Sequence, residues 1–200
     1  MRYPQFFDQV EALRLYDPLA DFLGAVEDGE MEITYLDLVK FAGHSCPTIA
    51  GVYLMARLGL DKLFEDRPIR GEIEVHVKGS KAEGVNGVIG NTLAYICGVS
   101  DEAGFKGIGG KFNRSNKLFY NAPIQGEVAL RRSDTGMKVE LSYDPSIVPP
   151  EPKMKELMQK LITGQGGPED KKEFGQLWQK RVEKILTSKD LWPKMVTLFC

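Results

Sequence analysis

The chain contains few cysteines, and none of them forms a local pair. Its three cysteines, Cys46, Cys97 and Cys200, lie far apart, and no Cys-x-x-Cys spacing occurs. This arrangement excludes a zinc ribbon or a thioredoxin-type redox pair built from local sequence. Unpaired cysteines are typical of a reducing compartment, so we expect a cytoplasmic protein. We expect no function for Cys200, because residues at chain ends are often poorly ordered.

The chain also lacks an excess of either charge and a long apolar run. It has 26 Lys and Arg residues against 28 Asp and Glu residues, a balance that favours neither nucleic acid nor an anionic membrane as a partner. Its longest apolar runs, such as residues 49–55, are far shorter than the roughly 20 residues of a membrane helix. The N-terminal residues lack the continuous apolar core of a signal peptide. A soluble protein is therefore expected.

Motifs of several common enzyme classes are missing. There is no Gly-x-Ser-x-Gly elbow, no His-Glu-x-x-His and no dinucleotide fingerprint, so hydrolase and dehydrogenase activities lack support. Residues 107–113 are rich in glycine but lack the spacing of a Walker loop. Their backbone N–H groups, with Lys111 and Asn113, form a candidate cofactor-binding element. A plain turn before a strand is the alternative.

Hydrophobic periodicity predicts an α+β fold, with a mixed β-sheet flanked by helices. Helices are predicted at residues 4–15, 17–25, 35–41, 47–63, 84–98, 153–163 and 168–188. Strands are predicted at residues 31–34, 70–78, 110–119, 125–132 and 136–143. Several prolines between residues 145 and 152 separate the strand signals from polar, helical sequence. We therefore expect a core domain at residues 1–148 and a helical C-terminal extension at residues 149–200.

The most distinctive local feature is the run Gly43-His44-Ser45-Cys46-Pro47. Pro47 is suited to the first turn of a helix, which places Cys46 at the N-cap. The unpaired N–H groups and the dipole at a helix N-terminus favour an anion, so the Cys46 thiol is expected to ionise readily. His44 is close enough to share a metal with Cys46 or to act as its proton partner, and both are candidate catalytic residues.

Two further residues are candidate metal ligands beside His44 and Cys46. Cys97 ends a predicted helix, and His76 lies on the polar face of a predicted strand. Each residue also has a simpler interpretation. Cys46 and Cys97 would be small buried apolar residues, His44 would belong to a turn, and His76 would be an exposed or interface histidine.

The run from Ala42 to Gly51 resembles the Gly-His-x-Cys-Pro-x-x-x-x-Gly signature of the FmdE family, which is named after formylmethanofuran dehydrogenase, although its last glycine falls one place early. A weaker likeness extends over about residues 35–145 and includes Cys97-Gly98 and Gly110-Lys111-Phe112-Asn113. The family often has a further cysteine and an aspartate at the start of the helix that ends near Cys97. Residues 83–90 contain neither, which counts against a dithiol mechanism.

The resemblance implies an α+β core and a homodimer. Some relatives append a C-terminal zinc finger, for which this chain has no cysteine cluster. Three hypotheses stay open: a metal- or thiol-dependent site, an accessory protein that binds or delivers a small cofactor to a molybdenum- or tungsten-type oxidoreductase, and a structural partner protein of such an enzyme. For the first, zinc is the preferred transition metal because thiolate and imidazole ligands suit it, although iron or haem would also accept them. The small-molecule ligand is unknown.

Overall fold

A mixed five-stranded sheet forms the centre of the fold in a computed structural model that describes residues 2–199. The strands of the described chain are β1 (Leu13–Tyr16), β2 (Glu30–Ile33), β3 (Ile73–Val77), β4 (Leu118–Phe119), β5 (Val128–Arg132), β6 (Lys138–Tyr143) and β7 (Val196–Phe199). The sheet order is β4-β3-β5-β6-β7, with β3 and β4 parallel and the other neighbours antiparallel. β1 and β2 form a separate antiparallel pair.

Helices pack against this sheet and against one another. They are α1 (Pro18–Phe22), α2 (Tyr35–Ala42), α3 (Pro47–Leu63), α4 (Asn86–Cys97), α5 (Lys153–Ile162), α6 (Pro168–Thr187) and α7 (Trp192–Met195). α3 and α4 contact the sheet and each other, α6 packs on α3, and α5 packs on α6. The predicted α+β class is therefore confirmed. Over residues 2–199, no helix combines the length and apolar character needed to cross a membrane.

Local sequence explains the sharp connection between α2 and α3. Thr34 and Asp37 form a reciprocal capping box at the start of α2. The helix ends at Gly43, whose φ of 77° is readily adopted by glycine. After two more residues, Cys46 is the N-cap of α3 and Pro47 is its first residue. This connection holds His44 and Cys46 at the N-terminal end of the most buried helix.

The alternating sequence of β3 matches its position within the sheet. Ile73, Val75 and Val77 are buried, while Glu74 and His76 between them are partly exposed. Strands β5 and β6, both predicted from the sequence, pair as an antiparallel hairpin, with Leu130 opposite Val139. The prediction of β3 succeeds because a period of two places one side of the strand on the core.

The helix predicted over residues 4–15 is wrong. Residues 5–9 form a short 3-10 turn, and the chain then extends into β1, which pairs with β2. Phe6, Phe7 and Val10 are buried from the turn, so their spacing reflects packing without a continuous helix. Leu13 and Leu15 repeat with the period of a strand, and pairing with β2 selects the extended form.

Two other predictions need correction in part. The strand expected over residues 110–119 is limited to β4, because the preceding glycine-rich residues form turns. The C-terminal extension contains the expected helices α5 and α6, but it also supplies β7, which pairs with β6. Buried side chains from the extension, including Val182 and Ile185, join the same apolar core as α3. Cys200 lies outside the described residues.

Candidate functional site

A cavity of about 510 Å³ opens beside the N-terminal end of α3. Its walls come from α3 and its preceding turn, from the start of α4, and from α6. The lining residues are His44, Cys46, Pro47, Thr48, Val85, Val88, Pro145, Trp178 and Arg181. We call this cavity the His44–Cys46 pocket. It brings together the two candidate catalytic residues of the sequence motif.

The His44 side chain is held by the backbone next to it. Its Nδ1 atom lies 3.0 Å from the carbonyl oxygen of Ala42. Since a carbonyl only accepts, Nδ1 donates this hydrogen bond and the neutral ring keeps its lone pair on Nε2. His44 therefore presents Nε2 as a proton acceptor or a metal ligand, the arrangement in which a carbonyl fixes the histidine tautomer.

Cys46 lies at the N-terminal end of α3 and faces the pocket. It is the N-cap of α3, and its Sγ atom accepts the N–H of Ile49 at 3.5 Å. The residue is 8% exposed and lines the pocket. Backbone N–H groups and the helix dipole stabilise negative charge at this end of α3. The expected N-cap position of Cys46 is confirmed.

Helix α6 holds the residue between His44 and Cys46. The indole Nε1 of Trp178 donates to the Ser45 carbonyl oxygen at 2.9 Å. The Ser45 hydroxyl donates to Oε1 of Gln179 at 3.0 Å and lies 3.1 Å from the Tyr35 hydroxyl. Because its single proton goes to Gln179, the Ser45 hydroxyl accepts from Tyr35. The motif is thus fixed from α2 and α6, which limits its freedom to move.

Tyr143 adds a buried hydroxyl close to Cys46. This hydroxyl has no hydrogen-bond partner within residues 2–199. Burial is the largest cause that raises the pKa of Tyr143; Arg181 opposes this shift and Cys46 adds to it. The ring packs against α3 at Gly51, where a Cβ atom would overlap it. Gly51 of the motif therefore allows the close approach of Tyr143.

Cys97 lies outside the lining of this pocket. It is the last residue of α4 and is 0% exposed. Burial raises the pKa of its thiol to about 12, and the charge of Arg70 acts in the opposite direction. The simple interpretation of Cys97 as a core residue agrees with this position. Its role as a metal ligand stays a prediction.

The other three predicted residues are also placed elsewhere. His76 stacks on Phe119, and its Nε2 atom lies 3.1 Å from Oε2 of Glu74. Lys111 is exposed in the glycine-rich turns, and the Asn113 side chain bonds to Ser115. None of these residues lines the His44–Cys46 pocket. A cofactor-binding role of Lys111 and Asn113 stays untested.

One chain supplies two metal-donor side chains, those of His44 and Cys46, to the His44–Cys46 pocket. In the described part of the chain, no group of three or more His, Cys, Asp and Glu residues is placed to hold a metal ion. The start of α4 contributes Val85 and Val88 to the wall. Valine offers no ligand atom, so one chain does not form a closed four-ligand zinc site here.

Sequence reasoning missed the residues that α6 brings to the site. The apolar stripe that includes Phe174, Trp178 and Val182 predicts packing on the chain's own core or on a partner, whereas Gln179 and Arg181 carry no signal. In the structure, Trp178 and Arg181 line the pocket, and Gln179 bonds to Ser45. These residues are more than 130 positions from the motif, and no spacing rule connects them.

The fold and the site define an α+β protein with a histidine and a cysteine at the N-terminus of a buried helix. Residues 41–191 match the family described as "FmdE, Molybdenum formylmethanofuran dehydrogenase operon". The match covers most of the 200 residues, so the chain belongs to the FmdE family. It extends through α6, beyond the likeness seen in the sequence. No curated protein matches the chain.

Proposed function

We propose that this FmdE-family protein acts through Cys46 and His44 as a thiol-dependent site that binds a transition metal, with zinc preferred. The observation that carries the proposal is the shared pocket of these two residues at the start of α3. Cys46 supplies the thiolate, stabilised by the helix N-terminus. His44 supplies Nε2, either to take the thiol proton or to bind the metal.

The metal proposal requires ligands from outside a single chain. Zinc in proteins is usually held by four ligands in a tetrahedron, and the pocket supplies two from the described residues. We propose that a bound small molecule or a second copy of the chain completes the coordination. A homodimer would supply the same pair of donors twice, as symmetric association requires. Iron or haem would accept the same ligands.

Metal content of matched cysteine variants tests this proposal. The untagged full chain is purified, loaded with zinc and dialysed, and its bound zinc and oligomeric state are measured. We expect zinc to be retained by the parent protein and by Cys97→Ala, and to be lost from Cys46→Ser. The Cys97 variant is the matched control because its thiol is buried outside the pocket. Zinc retained by Cys46→Ser would contradict the proposal.

A second candidate function is an accessory role, in which the pocket carries a small cofactor. The apolar side chains of Val85, Val88 and Trp178 in the wall support it, because small-molecule sites combine apolar walls with a few polar groups. The family description, which names a molybdenum formylmethanofuran dehydrogenase operon, supports a role beside such an oxidoreductase. No catalysis by the chain itself is then required.

The accessory role predicts a co-purified molecule that depends on the apolar wall. Absorption spectra and mass spectrometry of the gently purified protein would detect it. Val88→Asp should remove the molecule, while Ile162→Asp should retain it, because Ile162 is an exposed apolar residue outside the pocket. Equal retention by the two variants would rule out this carrier site.

A further inference from the structure

A second cavity, of about 630 Å³, lies beside the C-terminal end of α4. It shares no lining residue with the His44–Cys46 pocket. Much of its wall is apolar and comes from separate segments, including Leu23, Met31, Phe41 and Phe105. Its volume is within the usual range of small-molecule sites, roughly 300–1,000 Å³. We call it the Arg70–Arg114 cavity after two cationic residues in its lining.

These two cations share one buried carboxylate. Asp17 accepts from Nη1 of Arg70 at 2.9 Å and from Nη2 of Arg114. Burial alone would raise the pKa of Asp17, but hydrogen bonds from Arg114, the Ala20 N–H and Arg70 outweigh it and lower the pKa. Asp17 is thus ionised at neutral pH. Two guanidinium groups and one carboxylate leave a formal charge of +1.

Nearby groups offset this charge only in part. The arginines also donate to the carbonyl oxygens of Tyr95, Ile96 and Gly98 at the end of α4. Carbonyl groups at a helix C-terminus carry partial negative charge, equivalent to about half an elementary charge. Another lining carboxylate, Asp101, is already paired with Lys81 at 3.1 Å. The cavity therefore keeps a positive balance.

The apolar wall of the Arg70–Arg114 cavity is a second feature that a ligand would have to match. Phe41 and Tyr95 stack with ring centres 4.7 Å apart and an angle of 16° between the planes. Leu23 is 59% exposed, and Phe105 is also exposed. Exposed apolar side chains grouped around a cavity are typical of ligand or interaction sites. A buried ion-pair cluster that only stabilised the fold would not require them.

We propose that the Arg70–Arg114 cavity binds a small monoanionic molecule with a flat, apolar body, such as an aromatic carboxylate or sulfonate. The anion lies toward the arginines and the body lies between the apolar side chains. One negative charge matches the charge left by Asp17 and its two partners. This proposal is independent of the function of Cys46.

Two probes that differ in charge test the requirement for an anion. Anilinonaphthalene sulfonate is a monoanion, and phenylnaphthylamine has the same ring system without the sulfonate. Both are titrated by fluorescence into the folded, full-length chain. We expect the sulfonate probe to bind at a single site and at least about tenfold more tightly than the uncharged probe, because charge interactions are strengthened beside a low-dielectric wall.

Variants at Leu23 locate the binding site. Leu23→Asp places a negative charge at the edge of the cavity, and Leu23→Asn makes a change of similar size without the charge. We expect the Asp variant to bind the sulfonate probe about tenfold more weakly than the Asn variant, with no difference for the uncharged probe. Ile162→Asp, at an exposed position outside the cavity lining, should bind like the parent protein. Circular dichroism and thermal unfolding confirm that each variant is folded.

Three results would overturn the proposal. The first is equal affinity for the two probes, which would show that charge has no role. The second is equal binding of the sulfonate by Leu23→Asp and Leu23→Asn. The third is a dimer that forms through this face, excludes both probes and dissociates in Leu23→Asp, as measured by analytical ultracentrifugation. In that case a second copy of the chain would be the occupant.

Discussion

The two cavities differ in how their polar groups are assembled. The His44–Cys46 pocket takes its two candidate reactive groups from one short run at the N-terminal end of a helix, while Arg181 reaches it from α6. The Arg70–Arg114 cavity uses charged residues from three distant segments, near the C-terminal end of another helix. In the first, His44 is held through Nδ1 by the Ala42 carbonyl oxygen, which leaves the lone pair on Nε2. In the second, the Asp17 carboxylate is fully engaged with two arginines.

Because of this difference, we expect substitutions in the two regions to have different effects, on reactivity in one and on stability in the other. At the His44–Cys46 pocket, the hydrogen bonds are made mainly by Ser45, which lies between the two candidate reactive groups. At the other cavity, Asp17 bonds to both Arg70 and Arg114, and a backbone hydrogen bond between Tyr16 and Arg70 also joins two of these segments. We therefore expect changes in the first region to affect reactivity more than folding, and loss of the Asp17 carboxylate to affect folding strongly.

The largest effect is expected for Asp17→Ala. This change leaves the guanidinium groups of Arg70 and Arg114 without their carboxylate, and removing one partner of a buried ion pair costs about 3–5 kcal/mol. Urea unfolding would measure the loss. Asp134→Ala is the matched control, because Asp134 pairs with Arg132 at an exposed site, and it should change stability little. Similar losses in both variants would mean that the ion pairs of Asp17 contribute no more to stability than an exposed ion pair.

The thiols of Cys46 and Cys97 should differ strongly in reactivity. In a Cys200→Ser background, alkylation of the native protein near pH 8 is followed by peptide mass spectrometry. We expect Cys46 to react at least about 100-fold faster, because a thiol with a pKa of about 12, as at Cys97, is about one part in ten thousand ionised at that pH. Denatured protein should lose the difference. Comparable rates in the native state would contradict the assignment of Cys46 as the reactive thiol.

Acid should reduce the contribution of Asp17 to stability. Its pKa is lowered in the folded protein, so its contribution is present above the unfolded pKa of about 3.9 and is lost as the pH falls through the folded value. The difference in unfolding free energy between the parent and Asp17→Asn should therefore shrink below about pH 4. Denaturant titrations over a pH series measure it. A difference that stays constant into the acid range would contradict the ion-pair interpretation.

The smallest effects are expected for two tyrosines near the His44–Cys46 pocket. Tyr35→Phe removes the hydrogen bond to Ser45 and should cost about 1 kcal/mol. Tyr143→Phe removes a buried hydroxyl that has no partner among the described residues, so it should be neutral or slightly stabilising. Thermal unfolding of both variants compares them. An equal loss from Tyr143→Phe would mean that its hydroxyl is hydrogen-bonded in solution.

Sequence prediction was accurate where an element depends on neighbouring residues, and it failed where an element depends on contacts between distant residues. Helices α3 and α4 and strands β3 and β6 were predicted well, because their apolar residues repeat at one clear period. The N-terminal segment was predicted wrongly, since pairing with β2 overrides its helical spacing. The pairing of β7 with β6 was also missed, because strand pairing across more than 50 residues leaves no local pattern.

The sequence by itself determined the α+β class, the family and the placement of Cys46 at the start of a helix. These properties depend on hydrophobic period, on Pro47 and on a contiguous motif, all of which act over a few residues. Only the tertiary structure decided which residues share a cavity with that motif. It left Cys97 and His76 out of the lining of the His44–Cys46 pocket, brought α6 onto Ser45, and joined Asp17 to Arg70 and Arg114. Such contacts depend on how whole elements pack, because burying their apolar faces sets the positions of side chains that are distant in the chain.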